Sequence, residues 1–177
     1  TVTYNGNNAT SGAASRSSDS FTYGGSAIAL PTAGTLVRTG YTFAGWSVIA
    51  DGTAIAGNYT PTQSITLYAK WTAGAITITY NPDVSGGTNV TETKTADTAF
   101  GLRANTFTRA GFTFAGWATT SGGSVSKSDS ATVTLLIDTT YYAVWTANKY
   151  TVTYNSNNAT SGSVPTDSTE YLNAGSI

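Results

Sequence analysis

The sequence predicts a mainly β protein, α+β at most, made of tandem small domains with little helix and arranged as an elongated rod. Three observations predict it. The same motifs recur at a long, steady period; apolar and polar residues alternate at period two; and no stretch carries a sustained i, i+3, i+4, i+7 apolar pattern with caps.

The recurrences are literal. Thr1-Val2-Thr3-Tyr4-Asn5 returns as Thr77-Ile78-Thr79-Tyr80-Asn81 and again as Thr151-Val152-Thr153-Tyr154-Asn155. Gly40-Tyr41-Thr42-Phe43-Ala44-Gly45-Trp46 returns as Gly111-Phe112-Thr113-Phe114-Ala115-Gly116-Trp117. Thr66-Leu67-Tyr68-Ala69-Lys70-Trp71 returns as Thr140-Tyr141-Tyr142-Ala143-Val144-Trp145. The period is 76 and then 74 residues, long enough for a small domain with its own core. Expected boundaries are 1–74, 75–148 and a partial third module at 149–177, which holds first strands only. That partial module reads as the cropped end of a longer array, or as a piece completed by strands from elsewhere.

Spacing inside the copies varies, as surface loops allow. Tyr4 to Gly40 is 36 residues, whereas Tyr80 to Gly111 is 31. Across the junction it is constant: Trp71 to Tyr80 and Trp145 to Tyr154 are both 9. About four residues are left to join one copy's last strand to the next copy's first. So short a join predicts a semi-rigid arrangement.

Taken in order, Thr1–Asn5 alternates Thr with Val and Tyr, so Val2 and Tyr4 share a face. The Asn5-Gly6-Asn7-Asn8 cluster then reads as a turn. A second strand is expected over Ser20–Tyr23, with Thr91–Thr95 its counterpart. Residues before Arg38 carry Pro31 and Gly34 and read as an irregular crossing. In the aromatic motif, Tyr41, Phe43 and Gly45 share a face while Trp46 falls on the other. Burying both sets requires a bulge at Gly45. The last strand puts Ile65, Leu67, Ala69 and Trp71 on one side and Tyr68 and Lys70 on the other. Its second copy turns Thr139, Tyr141, Ala143 and Trp145 inward. Val133–Ile137 is expected as a further strand, and Ala96–Asn105 admits one helical turn capped by Asp97.

Composition narrows function. Charged residues are 10% of the chain, against about 25% in an ordinary soluble domain. Net charge is −1, and no basic patch is available to neutralise a run of phosphates, which argues against nucleic acid. Aromatics at 12% supply a packed core, which argues against disorder. With no Cys and no His, thiolate and imidazole metal sites and Cys or His catalysts are excluded. The acids are scattered without calcium-loop spacing or an acid–base pair. No catalytic residue, metal ligand or cofactor is therefore expected, and no membrane insertion within this segment.

The motifs Arg38 to Trp46 with Leu67 to Trp71, and Arg109 to Trp117 with Tyr142 to Trp145, resemble the Listeria–Bacteroides repeat, also called the internalin B-repeat. The resemblance covers nearly the whole chain in two copies and a partial third. It implies a β-grasp, ubiquitin-like fold, an extracellular or bacterial cell-surface location, and no enzymatic activity. This chain departs from the family pattern in the shortening before Gly111 and in Gly57-Asn58-Tyr59-Thr60-Pro61, which stands where an acidic-aromatic segment is usual.

Tyr41, Phe43, Trp46 and Trp71, with Phe112, Phe114, Trp117 and Trp145, are expected as core rather than as a sugar platform. Tyr68 and Tyr142, and also Tyr23 and Tyr59, are better candidates for exposed stacking. Arg38 and Arg109 stand two residues before the motif glycine and are candidates for partner contact or, more simply, for covering an aromatic face. Expected partners are neighbouring repeats of the same chain, with glycans, host surface proteins or like chains in a fibre as further candidates. The expected role is a non-catalytic spacer or stalk; the alternatives are a carbohydrate- or host-binding adhesin module and a subunit that self-assembles by strand addition through 149–177.

Overall fold

The structure is a computed structural model that describes residues 1–172. Residues 173–177, the end of the expected third module, lie outside the described residues. The chain divides into two compact units. The first comprises Thr1–Thr77 with Thr93–Phe100 and Thr134–Asp138; the second comprises Ile78–Glu92, Gly101–Val133 and the chain from Thr139 onward. Among the described residues there is no helix.

The first unit is built on a four-stranded sheet, order β2-β1-β4-β3, of β1 (Val2–Asn5), β2 (Ser18–Asp19), β3 (Tyr41–Ser47) and β4 (Ile65–Ala73). β1 and β4 run parallel, with Val2 opposite Ile65 and Asn5 opposite Tyr68. A parallel pair needs a long crossover, and residues 6–64 supply it through β2, the irregular crossing and β3. β3 and β4 are antiparallel, and their register shifts between Phe43 and Gly45. That bulge, with Gly45 at φ +122°, turns Trp46 onto the same core as Phe43. Val2, Trp46, Leu67, Ala69 and Trp71 form the buried centre. Leu30, Leu36 and Ile55 close over it from irregular segments. Those segments do the work a helix would do elsewhere, and they are held by bridges such as Ile28 to Tyr59.

The other four-stranded sheet has order β6-β5-β10-β8: β5 (Ala75–Asn81), β6 (Val90–Thr95), β8 (Phe112–Ala118) and β10 (Thr139–Ala147). β5 and β10 are parallel, β10 and β8 antiparallel with a register shift at Val144/Trp145. Ile78, Tyr80, Trp117, Tyr141 and Ala143 are buried. A short ladder joins β7 (Phe100–Gly101) to β9 (Thr132–Val133), and another joins β11 (Lys149–Tyr150) to β12 (Tyr171–Leu172).

Four local expectations are corrected. No helical turn forms in Ala96–Asn105: Asp97 sits at φ +56°, and the Ala96 and Asp97 N–H groups donate to the distant Gly74 and Leu135 carbonyls. Distant acceptors replace the i−4 carbonyls a helix would offer. The strand expected over Val133–Ile137 ends at Val133, and Leu136 and Ile137 are exposed. The second strand is Ser18–Asp19, earlier than the expected Ser20–Tyr23, because Tyr4 aligns with the Asp19 carboxylate through its hydroxyl. Finally, one residue, Gly74, separates β4 from β5.

Candidate functional site

The aromatic motif builds the core of each unit. Trp46 is 1% and Trp71 7% exposed, while Tyr41 and Phe43 are half-buried. Phe43 meets both indoles edge-on, at 5.4 Å and 5.7 Å between centroids. In the second unit Trp117 is buried, and Phe112, Phe114 and Trp145 are half-buried. Phe114 contacts Trp117 at 4.9 Å and Trp145 at 5.7 Å in the same edge-on manner. These rings spend their faces on one another, which leaves little aromatic surface for a ligand to stack on.

Each candidate arginine covers a ring within its own motif. The Arg38 guanidinium lies 3.8 Å from the Tyr41 ring centre, and Arg109 lies 3.8 Å from Phe112. The Tyr41 hydroxyl donates to the Asp97 carboxylate, which raises the phenol's pKa above its ordinary value. Tyr68 and Tyr142 hold equivalent register positions, opposite Asn5 and Asn81. Both are half-buried on the face of the strand away from Leu67 and Tyr141.

Tyr23 is different: its side chain is 80% exposed. It sits on a turn closed by Gly25 N–H donating to the Thr22 carbonyl at 2.9 Å, with Gly24 at φ +73°. A shallow cavity of about 300 Å³ lies along the same loop, lined by Ser20, Phe21, Thr22, Gly25, Ser26 and Ile28. A wider groove of about 490 Å³, also inside the first unit, is bordered by Gly40, Tyr41, Gly74, Ile76 and Leu136. Gly74 at its floor is pinned twice: its N–H donates to Gly40 and its carbonyl accepts from Ala96, both at 2.8 Å.

The charged groups that sequence reasoning left scattered find partners across strands. Tyr4 donates to Asp19, which also accepts from Arg16 at 2.8 Å. Burial, reinforced by Asp19, pushes the Tyr4 phenol up to about 12. Desolvation pulls Asp19 upward, but the hydrogen bonds from Tyr4 and Arg16 outweigh it and hold the carboxyl below its ordinary value. In the second unit Tyr80 donates to Glu92 at 2.7 Å and accepts from the Arg103 N–H at 2.9 Å; burial raises its pKa. An acid facing the tyrosine of the first strand is the signal that would have found both pairs. Among the described residues no cluster of three or more acids forms a cation cage. Among the described residues no helix is long and apolar enough to cross a membrane.

The Listeria-Bacteroides repeat domain matches the chain twice, over residues 1–70 and 77–144. A protein of Evansella cellulosilytica, named as a Gly-rich membrane protein, is 30% identical over 150 residues. The match covers 75% of this chain and 17% of that relative's length. No solved structure matches the chain.

Proposed function

Because the chain belongs to the Listeria-Bacteroides repeat family, we propose that it is a non-catalytic spacer of a bacterial surface or secreted protein, carrying another domain away from its anchor. The single observation that supports this reading most is the junction. The 9-residue Trp-to-Tyr spacing is the same at both joins, and Gly74 alone separates β4 from β5, pinned by two backbone hydrogen bonds. A short, tied connection transmits reach where a loose one would not. In this reading the modules are 1–74 and 75–148, each a reduced β-grasp, followed by a partial third module at 149–177 with first strands only; the parallel pairing of β1 with β4 supports the β-grasp assignment for the first. The relative named as a membrane protein supports a surface setting. Small-angle scattering from the two full repeats tests the proposal. An elongated profile is the expected result, and a compact globular one overturns it.

A second reading, binding of neutral glycans, draws support from the 80% exposed Tyr23 beside its hydroxyl-lined cavity. An aromatic face next to Ser and Thr hydroxyls suits a sugar's apolar face and its ring of hydroxyls. A glycan array with Tyr23→Ala, Tyr68→Ala and Tyr142→Ala variants tests it. Loss of a signal with Tyr23→Ala supports the reading; no signal from the parent chain at high concentration disposes of it.

A further inference from the structure

In the sheet ordered β6-β5-β10-β8, β6 (Val90–Thr95) lies last, and all four strands of that sheet are in place. Among the described residues no strand and no isolated bridge stands on its other side. The first sheet ends differently, since its edge strand β2 is only the two residues Ser18–Asp19. Very short edges discourage pairing between chains, and a six-residue edge lacks that protection.

The groups on the open side follow from one hydrogen bond. The Ala96 N–H, just past β6, donates to the carbonyl of Gly74, just before β5. That bond makes β5 and β6 antiparallel and sets Ala96 opposite Gly74. Counting back in steps of two, Lys94, Glu92 and Val90 aim their backbone N–H and C=O groups at β5. Thr95, Thr93 and Thr91 aim theirs away from the sheet. The side chains alternate between its faces: Val90, Glu92 and Lys94 are half-buried, and the three threonines are exposed. Glu92 accepts from the Tyr80 hydroxyl at 2.7 Å, and the Lys94 ammonium lies 5.3 Å from the Phe100 ring centre. Both charges are therefore held on one face of the strand.

We propose that β6 is a self-pairing edge, on which a second copy of this chain lays its own β6 antiparallel about a two-fold axis at Thr93. Thr91-Glu92-Thr93-Lys94-Thr95 reads the same in both directions, except that Glu and Lys change places. About that axis Thr93 meets the partner's Thr93, and Thr91 meets the partner's Thr95. Each of these opposed pairs exchanges two backbone hydrogen bonds. Glu92 stands opposite the partner's Lys94, and Lys94 opposite the partner's Glu92, in the pairs whose side chains approach more closely. The charges also fix the register. A slip of one residue sets outward groups against groups already spent on β5. A slip of two opposes Glu92 to the partner's Glu92, or Lys94 to the partner's Lys94, and like charges opposite one another destabilise. Charges that deter a foreign strand from this edge admit a second copy. The interface is the same patch on both chains, so it closes as a dimer. The inference is independent of the spacer reading, because the edges pair whether or not the repeats extend.

Sedimentation velocity of the full chain over a range of concentrations, with native mass spectrometry of mixtures, tests the proposal. The parent chain is expected to show a monomer–dimer equilibrium. Lys94→Glu sets acid against acid in both charged pairs, and Glu92→Lys sets base against base. Each variant alone is expected to weaken the dimer by about tenfold or more. An equimolar mixture of the two restores opposite charges in both pairs, so a mixed dimer is expected to return. Thr93→Pro removes an outward N–H and none that β5 uses. It is expected to abolish the dimer with the far-ultraviolet circular dichroism unchanged. A monomeric parent, a dimer that survives Thr93→Pro or ignores both charge substitutions, or a mixture without the mixed dimer overturns the proposal.

Discussion

The Trp46 indole N–H donates to the Pro31 carbonyl oxygen at 2.7 Å inside the first unit's core. The corresponding Trp117 indole N–H is buried with no hydrogen-bond partner among the described residues, and its ring meets Phe107 edge-on at 6.2 Å instead. The crossing before Gly111 is five residues shorter than the one before Gly40, and no carbonyl is delivered to the second indole. A buried donor without a partner carries a desolvation penalty of about 1–3 kcal/mol. Trp46→Phe breaks a bond and strands the Pro31 carbonyl; Trp117→Phe removes the unsatisfied group. Both lose packing area, but the first is expected to destabilise its unit by about 1–3 kcal/mol more than the second. Amide hydrogen exchange, read separately in each unit, checks the difference.

Acid and base act on the first unit through Tyr4 and Asp19. The Asp19 carboxyl is held below its ordinary value, so its contribution is present above the unfolded pKa of about 3.9 and is lost as pH falls through the depressed folded value. The Tyr4 phenol moves the other way, from 10.0 up to about 12, so its contribution is present below 10.0 and is lost as pH rises toward about 12. Thermal unfolding against pH is expected to fall off at both ends. Asp19→Asn flattens the acid limb and lowers stability at neutral pH, where the pairing with Arg16 is gone. Tyr4→Phe removes the Tyr4 share of the alkaline limb.

Much of the sheet is legible because period-two alternation is a local property. The run from Ile65 to Trp71 orients β4 without further help: Leu67, Ala69 and Trp71 are buried, and Tyr68 and Lys70 face the other way. The bulge at Gly45 is legible for the same reason, since Phe43 and Trp46 cannot share a core otherwise. Distant pairing is not legible. Nothing in Thr1–Asn5 states that its partner is Ile65–Tyr68 rather than β3, nor that Ala96 donates to Gly74. The helical turn expected after Ala96 fails on that point, because acceptors far along the chain outweigh a weak local propensity. For the candidate site, residue type marks the aromatics, but exposure decides among them. Tyr23 and Tyr68 look alike in sequence, and it is the Thr22–Gly25 turn that lifts Tyr23 clear of the sheet.

Arg38 and Arg109 offer a direct comparison of structural and binding roles. Both guanidinium groups sit 3.8 Å from a ring centre, over Tyr41 and Phe112. Partly exposed contacts of this kind contribute about 0.5–1 kcal/mol. Arg38→Ala and Arg109→Ala are therefore expected to lower the stability of their own units by about that amount, with lysine recovering part of it. Denaturant midpoints of the two variants check this; an unchanged midpoint in both would remove the structural role and leave partner contact to explain the arginines.

The two bulge glycines are not equally constrained. Gly45 stands at φ +122° and Gly116 at φ +148°, a region in which a side chain is strained. A Cβ at Gly45 would meet only the Ala54 methyl, at 3.3 Å. A Cβ at Gly116 would lie 2.6 Å from the Val125 Cγ1 and 2.8 Å from the Lys127 carbonyl oxygen. Lys127 cannot withdraw freely, because its backbone N–H donates to the Trp117 carbonyl and its own carbonyl accepts from the Trp117 backbone N–H. Gly45→Ala is expected to cost about 1–3 kcal/mol of strain. Gly116→Ala adds a backbone collision that must break the Trp117–Lys127 bridge, so it destabilises further. Hydrogen exchange at the Trp117 amide reads the result: rapid exchange in Gly116→Ala with protection retained elsewhere in β8 is the expected pattern, and equal losses in the two variants would show that backbone conformation alone sets the cost.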